Sequence, residues 1–286
     1  MPRLIILVLA FLLLIFGVTL SKNNQKPQDS EVKESAFKAS LDQAQKEAEE
    51  KKIAEEEKKR QEEETKKFIA NFGPCRYLPI LTYHHIGEGT NPLFVKTETF
   101  DSQMDYLKKK GYTAVTLKDV VSNLQSGQVL PNKPVVLTFD DGYRDFYENA
   151  FPILSKYSLS ATLFVITQHV GGGEYVTWDQ LKVMVSSGLV TIGDHTLSHV
   201  SLPSVEEPEV RNQILSAKSI IESNLGVTVN TFAYPYGGVS EEAEKVLAEG
   251  GFVAAVTTKR GLSCAKLPYE LPRVRVGNLP LSNYGL

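Results

Sequence analysis

From Cys75 onward the chain reads as an α/β protein built as a (β/α) barrel, and three observations predict it. Short apolar strands alternate with amphipathic helical stretches, the pattern of parallel strands with helices packed outside them. The residues that carry chemistry, His84, Asp140, Asp141, His195, Tyr236 and Arg273, fall at the C-terminal ends of predicted strands. A barrel gathers its functional groups on that face, and an open doubly wound sheet would gather fewer of them. The composition also changes abruptly ahead of Cys75, which sets residues 74–286 apart as one domain.

Residues 4–20 (LIILVLAFLLLIFGVTL) form an uninterrupted apolar run behind Arg3. As a helix this run is ~25 Å long, close to the hydrocarbon thickness of a bilayer. Residues 1–22 therefore read as either a cleaved signal sequence or an uncleaved membrane anchor. Both place the rest of the chain outside the cytoplasm, membrane-anchored at the cell surface or secreted. No cysteine follows the run, which argues against a lipoprotein. Residues 23–73 differ in composition: Lys, Glu, Gln and Ala dominate from 31 to 70, without Gly or Pro. The pairs Glu34/Lys38, Glu47/Lys51, Glu55/Lys59 and Glu63/Lys67 recur at i,i+4, which favours a solvated single helix. No apolar heptad persists, so a coiled coil is the weaker reading. As a helix the segment would be a stalk reaching ~60 Å; its composition also suits a disordered charged linker.

Strands are predicted near 79–83, 112–116, 134–139, 160–166, 189–193, 230–234, 252–257 and 273–276. Helices are predicted near 98–110, 117–126, 145–157, 177–187, 208–224 and 240–249. A hydrophobic fraction of 42% supplies a core, and a net charge of −3 gives no electrostatic case for nucleic acid or an anionic membrane surface. That charge suits a neutral substrate.

The chemistry concentrates in Thr138-Phe139-Asp140-Asp141-Gly142 and His195-Thr196-Leu197-Ser198-His199. Two carboxylates and a His-x-x-x-His pair supply three metal ligands and leave one carboxylate over, the equipment of a metal-assisted hydrolase. Neighbouring side chains of an extended backbone point opposite ways, so one Asp can reach a metal while the other faces the attacking water. Gly142 allows a sharp turn after the pair. On a helical turn His195 and His199 would face one way and hold one ion.

These two segments resemble the first two motifs of the polysaccharide deacetylase superfamily (the NodB-homology domain, carbohydrate esterase family four). Phe232-Ala233-Tyr234-Pro235-Tyr236-Gly237 is similar to that family's Pro-Tyr-Gly motif, and Leu271-Pro272-Arg273 to its Leu-x-Arg stretch. The resemblance covers roughly residues 75–286 and implies an irregular barrel of the NodB-homology type. It assigns Asp141, His195 and His199 to a metal, Zn2+ or another divalent ion such as Co2+ or Ni2+. Asp140 becomes the general base, and the Tyr236 backbone N–H helps to hold the oxyanion. Two departures stand out. The Arg that usually precedes Pro-Tyr-Gly is missing, and no histidine follows His199. Leu78-Pro79-Ile80-Leu81-Thr82-Tyr83-His84-His85, lying ahead of the Asp pair, resembles the exopolysaccharide de-N-acetylases of poly-N-acetylglucosamine systems. In that subgroup the His after the Tyr is the presumed acid, which carries over to His84 and leaves His85 as the alternative. Arg273 is the candidate partner of Asp140.

Tyr143 and Tyr234 are candidates to line the sugar cleft. His169 reads as a loop residue, and Trp178 with Asp179 as a packing anchor and helix cap. Cys75 and Cys264 bracket the domain and are either free or bonded. The function expected is removal of N-acetyl groups from N-acetylglucosamine units of an extracellular polysaccharide, of the poly-β-1,6-N-acetylglucosamine type. The alternatives are a peptidoglycan N-acetylglucosamine deacetylase and a non-catalytic glycan-binding protein on the same fold.

Overall fold

The computed structural model describes residues 28–286. The apolar run at 4–20 lies outside them, and among the described residues no helix is long and apolar enough to cross a membrane. The described residues divide into two units, the first ending at Glu64 and the second running Thr65–Leu286. Helix α1, Gln28–Phe72, is the charged segment, and its surface carries i,i+4 pairs such as Glu55–Lys59 at 3.0 Å.

In the second unit the elements follow the predicted alternation. After β1 (Cys75–Arg76), β2 (Ile80–Tyr83), β3 (His85–Ile86) and β4 (Phe94–Val95) comes α2 (Thr97–Lys109). Its apolar stripe of Phe100, Met104 and Leu107 is buried at helical spacing. Then come β5 (Thr113–Ala114), α3 (Leu117–Ser126) and β6 (Pro134–Phe139). Thr116 and Asp119 form a reciprocal capping box at the start of α3. The helix expected at 145–157 is a widened turn, Phe146–Ala150, followed by α4, Phe151–Tyr157. Pro152 cannot donate a backbone hydrogen bond, so the regular ladder fails at this point.

Next are β7 (Ala161–Val165), α5 (Trp178–Ser186) and β8 (Val190–Asp194). The cap of α5 is Thr177 with Gln180, not Asp179, while Trp178 packs on the core. The helix expected at 208–224 splits into α6 (Glu207–Arg211), a second widened turn and α7 (Ala217–Leu225). The unit ends with β9 (Thr231–Ala233), α8 (Glu241–Glu249), β10 (Ala254–Val256), β11 (Ser263–Cys264) and β12 (Val274–Arg275).

The main sheet is parallel throughout, in the order β10-β9-β8-β7-β6-β2-β12, with β5 beside β6. A parallel bridge between Val256 and Leu271 joins the segment leading into β12 to β10, so the sheet curls round on itself. This is the expected irregular barrel. Alternate strand residues divide two cores. Ile80, Val136, Phe164, Ala233, Val256 and Leu271 pack with the buried face of α3 in the smaller one. Leu81, Leu137, Leu163, Ile192 and Phe232 pack against the other helices in the larger. The short antiparallel pair β1–β11 aligns Cys75 with Cys264, and their sulfurs are bonded.

Candidate active site

The two-residue period that fills the smaller core also places the site. On the inner face of β2, Ile80 is followed by Thr82 and His84; on β6, Val136 is followed by Thr138 and Asp140. Leu271, Arg273 and Arg275 continue the rule along the last strand. The upper members of these series line one cavity of about 450 Å³, together with Leu93, Asp141, Tyr143, His195, His199, Tyr234, Tyr236 and Thr258.

Asp140 is buried and held by Arg273. The guanidinium donates to Asp140 Oδ1 at 2.7 Å and Oδ2 at 2.6 Å, a fork-to-fork pair. Arg273 is itself fixed by donating from Nε to the Thr257 carbonyl and from Nη1 to Thr138 Oγ1. Burial alone would push the Asp140 carboxyl up, but the charge and hydrogen bonds of Arg273 hold it well below the usual range. The Arg missing from the third motif is thus replaced in space by one from the last strand.

His84 Nε2 stands 4.0 Å from Asp140 Oδ2, in the cavity. Burial lowers its pKa against the pull of both Asp residues, so it is neutral at pH 7. His85 points elsewhere, with Nδ1 2.6 Å from Asp145 Oδ2. Of the two histidines, the structure brings only His84 to Asp140.

Asp141 adopts φ 73°, in the left-handed region, so the two Asp side chains diverge through a turn and not through extended alternation. Its Oδ1 lies 3.3 Å from His195 Nε2 and 3.4 Å from His199 Nε2. The histidines are not on the helical turn that their spacing predicts. Asp194 Oδ1 accepts from the Thr196 amide and Thr196 Oγ1 accepts from the His199 amide, while Thr196 and His199 take φ of 70° and 59°. These side-chain bonds replace a helical ladder and still converge the two rings. Tyr236 also has positive φ, 59°. Backbone strain therefore collects at the site, as functional geometry commonly requires.

These residues fit a metal. The three donor atoms lie within 4.8 Å of one another, and Asp141 Oδ1 is buried without a hydrogen-bond partner. A tetrahedral ion with bonds of about 2.0–2.1 Å would hold its ligands about 3.3–3.4 Å apart, the separation of Asp141 Oδ1 from both imidazoles. His195 Nδ1 lies 2.7 Å from the Ala233 carbonyl, which can only accept, so in the neutral ring the proton sits on Nδ1 and the Nε2 lone pair faces the site. Burial would lower the His195 pKa, but the Asp141 contact and the charges of Asp140 and Asp141 outweigh it and raise it. Burial and the nearby His195 lower His199 to about 4, so the His199 ring is unprotonated at neutral pH. Three of the chain's five histidines, His84, His195 and His199, line the cavity.

Two expected sugar contacts fare differently. Tyr143 lines the cavity and its phenol faces Asp141; burial first, then the Asp141 charge, raise its pKa. Tyr234 borders the cavity, but its ring is 1% exposed and packs edge-on against Phe232. Burial and then the charges of Glu244 and Glu270 push its phenol up, the surroundings of a core residue. Sequence reasoning missed Thr82, Thr138 and Arg275. Each lies two residues from a chosen one along the same strand, so the inner-face alternation was the signal that could have found them.

The fold and site define a parallel barrel with an open centre of two histidines and one carboxylate. Residues 127–255 match the polysaccharide deacetylase family. The Bacillus subtilis protein named "Putative polysaccharide deacetylase YxkH" is 34% identical over 200 residues, 70% of this chain and 71% of the relative. Poly-beta-1,6-N-acetyl-D-glucosamine N-deacetylase of Staphylococcus aureus is 28% identical over 64% of this chain and 68% of its own length. Among solved structures, Streptococcus pyogenes deacetylase PplD in complex with acetate has a TM-score of 0.68 at 29% identity, covering 72% of this chain and 94% of that one. IcaB from Ammonifex degensii has a TM-score of 0.65 at 30% identity, covering 70% and 91%. The chain belongs to the polysaccharide deacetylase family, as its motifs indicated.

Proposed function

We propose that the chain is a metal-dependent hydrolase that removes N-acetyl groups from N-acetylglucosamine units of an extracellular polysaccharide, of the poly-β-1,6-linked type. One observation carries this reading: an orphaned Asp141 oxygen facing the His195 and His199 imidazoles, beside a second carboxylate pinned by Arg273. The linkage is supported by the name of the staphylococcal relative. Residues 1–22 are taken as signal sequence or anchor, 23–73 as stalk and 74–286 as the catalytic domain.

Asp141, His195 and His199 would hold the ion, Zn2+ or a similar divalent metal. Such an ion supplies a Lewis acid and an acidified water at neutral pH. Asp140, kept ionised by Arg273, accepts the proton of the attacking water. The Tyr236 N–H meets the developing oxyanion, a contact worth about 3–4 kcal/mol in comparable sites. His84 rests neutral, so the proton it gives the departing amine is one gained during the cycle, and Asp140 Oδ2 at 4.0 Å is the nearest source. Acetate and a free amine result. The non-catalytic alternative arose from a missing Arg and a missing late His; with Arg273 and His84 beside Asp140, its motive is weaker.

The test is acetate release by the purified full chain with zinc, on β-1,6- and β-1,4-linked N-acetylglucosamine oligomers and on peptidoglycan, with Asp140→Asn alongside. Release on the β-1,6 oligomer that depends on Asp140 supports the proposal. Preference for peptidoglycan would move the substrate to the cell wall, and no release on any polymer would leave a glycan-binding protein.

A further inference from the structure

His85 is not used by this chemistry, yet it is among the most constrained side chains near the site. Its Nδ1 is 2.6 Å from Asp145 Oδ2, and the other oxygen of Asp145 accepts from the Ile86 amide at 3.4 Å. The His85 ring lies between two others. Phe94, its cross-strand neighbour in the β3–β4 pair, stacks on one side at 4.1 Å and 2°. Tyr143 stacks on the other at 3.5 Å and 23°. The far face of Tyr143 is covered by Tyr175 at 5.2 Å, and a backbone bridge ties these two tyrosines together. With both faces covered, Tyr143 has no ring face to offer a sugar. It presents its phenol, which faces Asp141.

We propose that His85, pinned by Asp145, is a positioning residue that fixes the Tyr143 ring so that its phenol meets the Asp141 carboxylate and the bound sugar. The inference rests on the deacetylase reading and adds to it the part played by Asp145, His85 and Phe94. A short carboxylate–imidazole contact fixes the plane of the ring, and the stacked rings on either side transmit that plane to Tyr143. A phenol beside Asp141 steadies the carboxylate that must keep Oδ1 towards His195 and His199, the part played by groups that orient metal ligands. Without the clamp Tyr143 would turn about its side-chain bonds and the carboxylate would lose its support.

Two arms on the full-length chain test this. In the first, fluorotyrosine is placed at position 143 and its fluorine resonance is recorded with and without Asp145→Asn, an isosteric change at a residue whose side-chain bonds go to His85 and Ile86. A shifted or broadened signal is expected; an unchanged one would overturn the proposal. In the second, kcat/KM is measured for His85→Ala, Tyr143→Phe and the double variant. Each single change is expected to cost about 10–100-fold, and the double no more than the worse single, because His85 acts through Tyr143. Losses that multiply would show His85 acting on its own and would sink the idea. If the wild-type chain released no acetate the deacetylase reading would fail, while the fluorine signal would still decide whether Asp145 fixes the Tyr143 ring.

Discussion

Replacing Arg273 by Gln removes the guanidinium and leaves Asp140 buried. Both groups are almost fully inside, at 2% and 4% exposed, so solvent does little to screen the pair. Breaking such a pair from one side costs about 3–5 kcal/mol. In a domain of this size that corresponds to a fall in Tm of about 6–20 °C at pH 7. The sign with pH follows from the direction of the shift. Arg273 depresses Asp140, so its contribution is present above the unfolded carboxylate value of ~3.9 and is lost as pH falls through the lower folded value. In Arg273→Gln burial takes over and raises the carboxyl, which then destabilises the neutral protein. The gap in Tm should therefore be widest near neutrality and narrow towards pH 4. Adding Asp140→Asn removes the stranded charge, so the double variant should melt above Arg273→Gln alone. The acid limb of kcat/KM should move to higher pH, since a raised Asp140 must now be deprotonated before it acts. Thermal melts from pH 4 to 8 and pH–rate profiles read these effects. An Arg273→Gln protein that melts with the wild type at pH 7 and keeps its acid limb would refute the reasoning.

Asp140→Asn should abolish acetate release while zinc remains bound at one equivalent, whereas His199→Ala should lose both, by metal analysis after dialysis. At Gly237, φ is 75° and a Cβ would sit 2.1 Å from Thr258 Oγ1. Gly237→Ala should therefore displace the Tyr236 turn and lower kcat/KM by at least tenfold, with metal content unchanged. Cys75→Ser opens a covalent loop spanning 189 residues and should lower stability by about 2–4 kcal/mol in denaturant titration.

The strands were legible because each is a short β-branched or apolar run whose length leaves little room for a helix; the run predicted at 134–139 is β6. The site was legible in the same way, since carboxylates and imidazoles at strand ends can have few other reasons to cluster. The turn that carries His195 and His199 was not. Spacing by four suggests a helix, and only the Asp194 and Thr196 side-chain bonds divert the backbone into the left-handed region. The burial of the Tyr234 ring was hidden for a related reason: it lies next to Pro235-Tyr236-Gly237 in sequence but on the opposite strand face from Ala233, among the outer helices. The rings around His85 are drawn from β3, β4 and the turn after β6, and no local pattern announces such a meeting.

The strand that brings Arg273 follows every other strand of the sheet, yet it pairs with the first of them, β2, while the segment ahead of it reaches β10. Arg273 stands 133 residues after Asp140. During synthesis the carboxylate therefore emerges long before its guanidinium, and contacts this distant in sequence are among the slow ones to form. Until the ring of strands shuts, Asp140 has no fixed partner and the cavity no far wall. On the proposed deacetylase reading, ring closure and chemical competence become one event, and a partly made or partly folded chain would leave its substrate untouched.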